Sequence, residues 1–204
     1  MRLYIHPMSA NARRATMAAL QLGTPIELVT VDLAKGAQRQ PEFLKMNPSG
    51  KVPVLDDDGF YLTESHAIMQ YLAEKTPKQT VYPTETRARA DVNRWLFWNA
   101  HHFMPAVSIL NWENLVKPFL GLGAADPVEV KRGEKLVSDC AKVLDEHLAG
   151  KQWVSQDRLT LADLAISTDL MVADQAKLPI AEYKNVHAWL GRVKELDVWK
   201  RTSL

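Results

Sequence analysis

Cysteine is almost absent from this chain: Cys140 is the only one in 204 residues. A single thiol excludes an internal disulfide and a Cys-x-x-Cys redox centre, and it fits a reducing cytoplasm. Surplus charge is lacking as well. Lys and Arg number 25 against 24 Asp and Glu, a net charge of +1, so no phosphate-neutralising excess marks a nucleic-acid partner. No uninterrupted apolar run approaches the roughly 20 residues of a membrane-spanning helix. At the N-terminus, His6 and Pro7 interrupt the apolar stretch before it reaches signal-peptide length. No repeat or low-complexity tract is visible. What is present is ordinary globular composition, 47% hydrophobic and 24% charged, in a chain long enough for two small domains.

The first part alternates strand and helix signals. Arg2 to Ile5 is a β-prone run. Met8, Ala12, Ala15, Ala19 and Leu22 then recur at spacings of four and three, one face of a helix that Gly23 stops. Ile26 to Val31 reads as a second strand, parallel to the first because a helix separates them. A helical turn is predicted at Pro41 to Met46 and a third strand at Val52 to Leu55. Asp57-Asp58-Gly59 is a hairpin turn from which Phe60 to Leu62 returns antiparallel. Thr63 opens another helix with Ala67, Ile68, Tyr71 and Leu72 inward. The order predicts an α/β half with a mixed four-stranded sheet, residues 1–76.

Residues 77–85 carry two prolines and no periodicity, and read as a linker. From Thr86 to the end only helical patterns occur, so 86–204 reads as an all-helical domain. Thr160-Leu161-Ala162-Asp163 is a capping box with Leu159 and Leu164 at the staple positions, and Pro127 and Gly150 bracket a helix over Val128 to Leu148.

Three segments of the first half can carry chemistry. Pro7-Met8-Ser9-Ala10-Asn11 joins a strand to a helix N-terminus, where unpaired amides and the helix dipole favour an anion and a hydroxyl can donate to a thiolate. Read from this segment alone, Ser9 is a plain helix cap, since serine is a preferred cap residue. Asn47-Pro48-Ser49-Gly50-Lys51-Val52-Pro53 places a proline in a strand, which belongs at an edge, at a bulge or after a cis bond. An edge strand with the Val52 backbone free would pair with an extended peptide, and Lys51 would meet a carboxylate. Leu62-Thr63-Glu64-Ser65 forms a second anion site at a helix start, and Glu64 suits a ligand that also bears an ammonium. Taken together, the segments ask for a thiol, an extended peptide backbone, two carboxylates and an ammonium, which is the inventory of glutathione.

On these residues, with Lys35-Gly36-Ala37-Gln38, Pro41-Glu42-Phe43-Leu44 and Thr160-x-x-Asp163-Leu164-Ala165 beside them, the chain resembles the soluble (cytosolic) glutathione S-transferases. It is most similar to the serine-using classes and to bacterial relatives of theta type. The resemblance spans essentially the whole chain. It implies a thioredoxin-like glutathione-binding domain and an all-α domain that contributes the electrophile site. It further implies a cytoplasmic homodimer that conjugates glutathione to hydrophobic electrophiles in detoxification, with no metal. Carried over by position, Glu64 and Ser65 hold the γ-glutamyl end. Val52 pairs with the cysteinyl backbone beside a cis Pro53, and Lys51 and Gln38 reach the glycyl carboxylate. Ser9 falls where the serine-using classes keep their thiolate-stabilising hydroxyl, with Asn11 its rival.

Met8, Trp98 and His102 are the electrophile candidates, the last two sharing a helical face at i, i+4 while Phe97 and His101 share another, and Pro105 is expected to kink that helix. Adjacent His101 and His102 diverge on a helix and lack a third ligand at i+3 or i+4, which argues against a metal. Cys140 lies among apolar residues and reads as a packed thiol. The alternatives are glutathione-dependent thiol transfer or peroxide reduction, a zeta-type cis–trans isomerisation, whose Ser-Ser-Cys turn this chain does not have, and a non-catalytic binding module of the same fold.

Overall fold

Strand β1 (Arg2–Ile5) runs parallel to β2 (Glu27–Thr30), with Arg2 opposite Glu27 and Ile5 opposite Thr30, in a computed structural model that describes residues 1–203. Helix α1 (Ala10–Leu22) makes the crossover and ends on Gly23, whose φ of 64° is the left-handed conformation a C-terminal glycine adopts without strain. The short helix α2 (Pro41–Met46) follows β2. Strand β3 (Val54–Asp57) then lies antiparallel to β1, and β4 (Phe60–Leu62) antiparallel to β3. The sheet order is β2-β1-β3-β4, and α3 (Ser65–Lys75) closes the βαβαββα unit. Leu3, Ala15, Ala19, Leu55, Ile68 and Leu72 pack α1 and α3 onto one face of the sheet. Val31, Phe43, Val52 and Val54 form a second cluster with Tyr4 and Met46.

The hairpin between β3 and β4 is fixed by Asp56, which accepts from the Gly59 amide at 2.9 Å and from the Arg2 guanidinium at 2.6 Å. Those two donors, the amide foremost, hold its carboxyl below the usual carboxylate range. Asp57 accepts from the Tyr71 hydroxyl at 2.5 Å and pairs with Lys75, which pins the end of β3 to α3.

Three expectations need correction. The third strand is not an edge strand. The Asp57–Gly59 turn lays β4 along its far side, so β3 sits inside the sheet, and it begins at Val54 rather than Val52. The second helix starts at Ser65 rather than Thr63, with Glu64 as its cap residue. Met8 lies outside α1, in the preceding turn, and is 64% exposed.

Two compact units make up the chain: Met1–Tyr82 together with the C-terminal segment from Leu196, and Pro83–Glu195. That C-terminal segment was expected with the helical half. It joins the first unit because Arg13 of α1 stacks on Trp199 at 3.9 Å and donates to the Trp199 carbonyl, Thr202 and Ser203.

The second unit is helical throughout its regular structure: α4 (Thr86–Trp98), α5 (Met104–Asn111), α6 (Lys117–Phe119), α7 (Pro127–Leu148), α8 (Leu161–Asp169) and α9 (Lys184–Lys194). The C-terminal helix of the first unit is α10 (Asp197–Arg201). Between α4 and α5, residues Asn99–Phe103 form a π-helical turn, and Trp112–Val116 form another between α5 and α6. Each directly precedes a helix with proline at its second position, Pro105 and Pro118. A proline clashes with the carbonyl four residues earlier, and widening the turn relieves that clash. The expected kink at Pro105 is therefore absorbed as an extra residue per turn.

Gly133 sits where α7 meets α5, and a Cβ there would stand 2.8 Å from Leu110 Cδ2 and 2.9 Å from its Cγ. Overpacking of about 1–3 kcal/mol exceeds the helix-propensity gain of about 1 kcal/mol. Gly133→Ala is therefore expected to lower the denaturant midpoint by a net of up to about 2 kcal/mol equivalent, read by urea unfolding. A midpoint equal to or above wild type would contradict this packing.

Candidate active site

Strand β1 delivers the chain to a tight turn at its C-terminal end. The Ser9 amide donates to the His6 carbonyl at 2.9 Å and the Met8 amide to His6 Nδ1 at 3.3 Å, so the turn is fixed before the helix begins. Ser9 is the N-cap of α1, with φ −89° and ψ 113°, and its Oγ accepts from the Ala12 amide at 3.2 Å. That contact uses a lone pair of the hydroxyl and leaves its proton free to donate. The cap role and the thiolate-donor role therefore do not compete. Asn11 is half-buried on the first turn of the same helix.

The second segment is organised by Asn47, which is buried. Its side-chain amide donates to the Lys51 carbonyl at 2.7 Å and its Oδ1 accepts from the Ser49 amide at 3.0 Å. Gly50 takes φ +60° within that loop, and a Cβ there would lie 3.1 Å from the Gln38 carbonyl, so the Gln38 loop presses directly on this turn. Gln38 Oε1 is buried without a hydrogen-bond partner among the described residues. Lys51 is exposed. The Val52–Pro53 bond is cis. The β3–β4 register ends at Leu55 opposite Leu62, because the chain turns away into α3, so Val52 and Pro53 lie beyond it. The end of the strand, not an edge along its length, is what this segment leaves outside the ladder.

At the third segment Glu64 holds φ +65°, uncommon for a side-chain-bearing residue, and is exposed. Ser65 next to it is buried and accepts from Arg14 NH1 at 3.3 Å. Arg14, fully buried in α1, also lies 3.5 Å from His66 Nε2. Sequence reasoning did not single out Arg14. The signal available was two adjacent arginines on a helix whose other face is alanine-rich, and only one of them can point to the same side.

In the second unit Arg94, Phe97, Trp98, His101 and His102 line an open groove of ≈ 630 Å³. The two aromatic faces expected to be separate thus meet in one surface. The π-helical turn changes the spacing: Trp98 stacks on Phe103, with centroids 5.5 Å apart, rather than on His102, while Phe97 and His101 do stack, at 6.4 Å. Trp95 packs edge-on against Trp98 beneath the groove. Among the described residues no three His, Cys, Asp or Glu side chains gather as a metal-holding group, and no helix is long and apolar enough to cross a membrane. Cys140 is half-buried, and burial with the neighbouring Asp139 pushes its thiol above the usual range, away from nucleophilic use.

A sheet-and-helix unit that carries three polar loop segments, before α1, before β3 and before α3, is followed in the chain by an all-helical unit. Residues 1–74 match the model of the glutathione S-transferase N-terminal domain, and residues 103–197 that of the C-terminal domain. The chain is 33% identical to glutathione S-transferase F10 of Arabidopsis thaliana over 97% of its own length and 94% of that protein. It is 34% identical to human glutathione S-transferase theta-2B over 94% of its length and 80% of the relative. Among solved structures, glutathione S-transferase I bound to lactoylglutathione superposes with a TM-score of 0.88 at 28% identity, covering 99% of this chain and 97% of that one. The chain belongs to the glutathione S-transferase family.

Proposed function

We propose that this chain is a serine-type glutathione transferase that binds glutathione along its first unit and conjugates it to hydrophobic electrophiles. The observation that carries this reading is Ser9: its oxygen caps a 13-residue helix through Ala12, and its proton remains available to a sulfur anion. A free cysteine thiol titrates near pH ~8.5, so little of it is thiolate at neutral pH. Lowering it by about two units takes roughly 2.7 kcal/mol. A hydrogen bond to a charged acceptor is worth about 1.5–3 kcal/mol and the dipole at the helix start about 0.3–1 more. No general base is needed. The thiol proton passes to solvent, the thiolate attacks an electrophilic carbon, and the carbon–leaving-group bond breaks as the carbon–sulfur bond forms.

Around the sulfur, Val52 offers backbone to the cysteinyl residue beside Pro53, and Lys51 with Gln38 takes the glycyl carboxylate. Glu64 and Ser65 take the γ-glutamyl ammonium and carboxylate. In the second unit, the aromatic groove with Trp98 and His102 is the surface proposed for the apolar electrophile; in the first unit, exposed Met8 is a separate candidate. Ala10 and Asn11 leave no cysteine in the turn, so a mixed disulfide with the protein is not part of the reaction. The likeness to a lactoylglutathione-bound structure supports glutathione as the thiol substrate, and the family likeness supports a cytoplasmic homodimer.

Calorimetric titration with reduced glutathione, paired with a conjugation assay on an activated aryl halide, tests the reading. Saturable binding with turnover of the halide is expected. No binding at millimolar glutathione would overturn it.

A further inference from the structure

Two adjacent buried arginines of α1 are used in opposite ways. Arg13 is spent on the C-terminal segment: it stacks on Trp199 and donates to the Trp199 carbonyl, Thr202 and Ser203, and burial lowers its pKa to about 10. One residue further, a rotation of about 100° along the helix, Arg14 turns to the start of α3 and donates to Ser65 Oγ. We propose that Arg14 is a positioning residue for the γ-glutamyl carboxylate, acting through Ser65. The proposal rests on the reading of Glu64 and Ser65 as the γ-glutamyl site.

A serine hydroxyl has one proton and two lone pairs, and its proton rotates to whatever acceptor is left. With a guanidinium N–H on one lone pair, the Ser65 proton is turned away from Arg14 and toward a ligand carboxylate. The guanidinium also polarises that O–H, which strengthens its donation. Its charge meets a second need. Glu64 places a carboxylate beside a site that must hold another, and a buried cation behind Ser65 offsets that repulsion. The pair of opposite charges, exposed Glu64 and buried Arg14, then matches the ammonium and carboxylate of one amino-acid head group.

Steady-state kinetics with varied glutathione and a fixed aryl halide test this, after wild-type binding of glutathione has been measured. Absence of wild-type binding would refute the glutathione site itself, not the role of Arg14. Given binding, Arg14→Gln is expected to raise KM for glutathione roughly tenfold or more, the scale of one charge-assisted hydrogen bond. Its kcat should stay within about threefold, as for lost uniform binding. Ser65→Ala should raise KM similarly, and the double variant should be no worse than either single one. A glutathione analogue with the γ-glutamyl α-carboxylate converted to an amide should bind wild type and Arg14→Gln alike. Arg13→Gln serves as the structural control, losing thermal stability with KM within about twofold. Should Arg14→Gln not fold, Arg14→Lys replaces it, with a KM increase of about two- to fivefold that vanishes in the Ser65→Ala background. Additive effects of Arg14 and Ser65 variants, an unchanged KM, a fall in kcat alone, or an equal KM increase in Arg13→Gln would overturn the proposal.

Discussion

Replacing Ser9 by alanine is expected to lower kcat for conjugation about 10- to 100-fold and to raise the pKa of the bound glutathione thiol by about one to two units. Those figures are the loss of one hydrogen bond to a charged acceptor, about 1.5–3 kcal/mol, expressed as rate and as acidity. The same variant also removes the cap contact to the Ala12 amide, worth about 1 kcal/mol of stability, so a slower enzyme alone would not separate the two roles. Ser9→Asp does separate them. Aspartate caps a helix as well as serine does, but its carboxylate has no proton to donate and repels the thiolate. Ser9→Asp should keep the wild-type unfolding midpoint within about 1 kcal/mol and lose conjugation at least as severely as Ser9→Ala. Asn11→Ala, by contrast, should retain a rate within about threefold of wild type. A fast Ser9→Ala enzyme with a slow Asn11→Ala enzyme would transfer the thiolate role to Asn11.

The largest stability effect is expected at Asp163, buried in the second unit. Its carboxylate accepts from the Val154 amide at 2.8 Å, the Trp189 indole at 2.9 Å, the Thr160 amide at 2.8 Å and the Thr160 hydroxyl at 3.0 Å. One side chain thus closes the capping box of α8, anchors α9 through Trp189 and fixes the loop before α8. Asp163→Ala orphans those buried donors together, at about 1–3 kcal/mol for each left unpaired. A total above about 4 kcal/mol corresponds to a fall of about 10 °C or more in Tm for a chain of this length, and to little folded protein at 37 °C. A wild-type Tm for Asp163→Ala, followed by circular dichroism, would contradict this.

A pH effect accompanies that site. Burial outweighs the donors and raises the Asp163 carboxyl from 3.8 to about 6. Between roughly pH 4 and pH 6 the folded protein therefore holds a proton that the unfolded chain has released, and this group's contribution to stability falls as the pH rises through that window. Asp163→Asn, which has no proton to exchange, should flatten the dependence of unfolding free energy on pH over the same range.

Elements whose determinants are local were readable in advance. Helix α1 and its Gly23 stop, the Asp57–Gly59 hairpin and the Thr160–Asp163 box each follow from residues within a few positions of one another. Features settled by distant partners were not. Whether the strand after Pro53 is an edge or an inner strand depends on where β4 pairs, and the period-two pattern is the same in both cases. Arg14 and Ser65 are 51 residues apart, and an arginine in a helix ordinarily reads as a solvated face. The C-terminal segment joins the first unit through Arg13, which helical periodicity does not reveal. The π-helical turns came from Pro105 and Pro118, whose effect was foreseen at Pro105 as a bend rather than an added residue. At the candidate site, the segments at Ser9, Lys51–Pro53 and Glu64–Ser65 were legible because turns and helix starts concentrate polar groups there. Asn47, which ties the middle segment together from beneath, was not.

A pH titration of the ultraviolet absorbance of thiolate, in the binary complexes of glutathione with wild-type protein and with Ser9→Ala, reads the acidity of the bound thiol itself. A bound-thiol pKa about two units below that of free glutathione, moving back up by one to two units in Ser9→Ala, is the predicted result. A bound thiol that titrates like free glutathione in the wild-type complex would contradict the account.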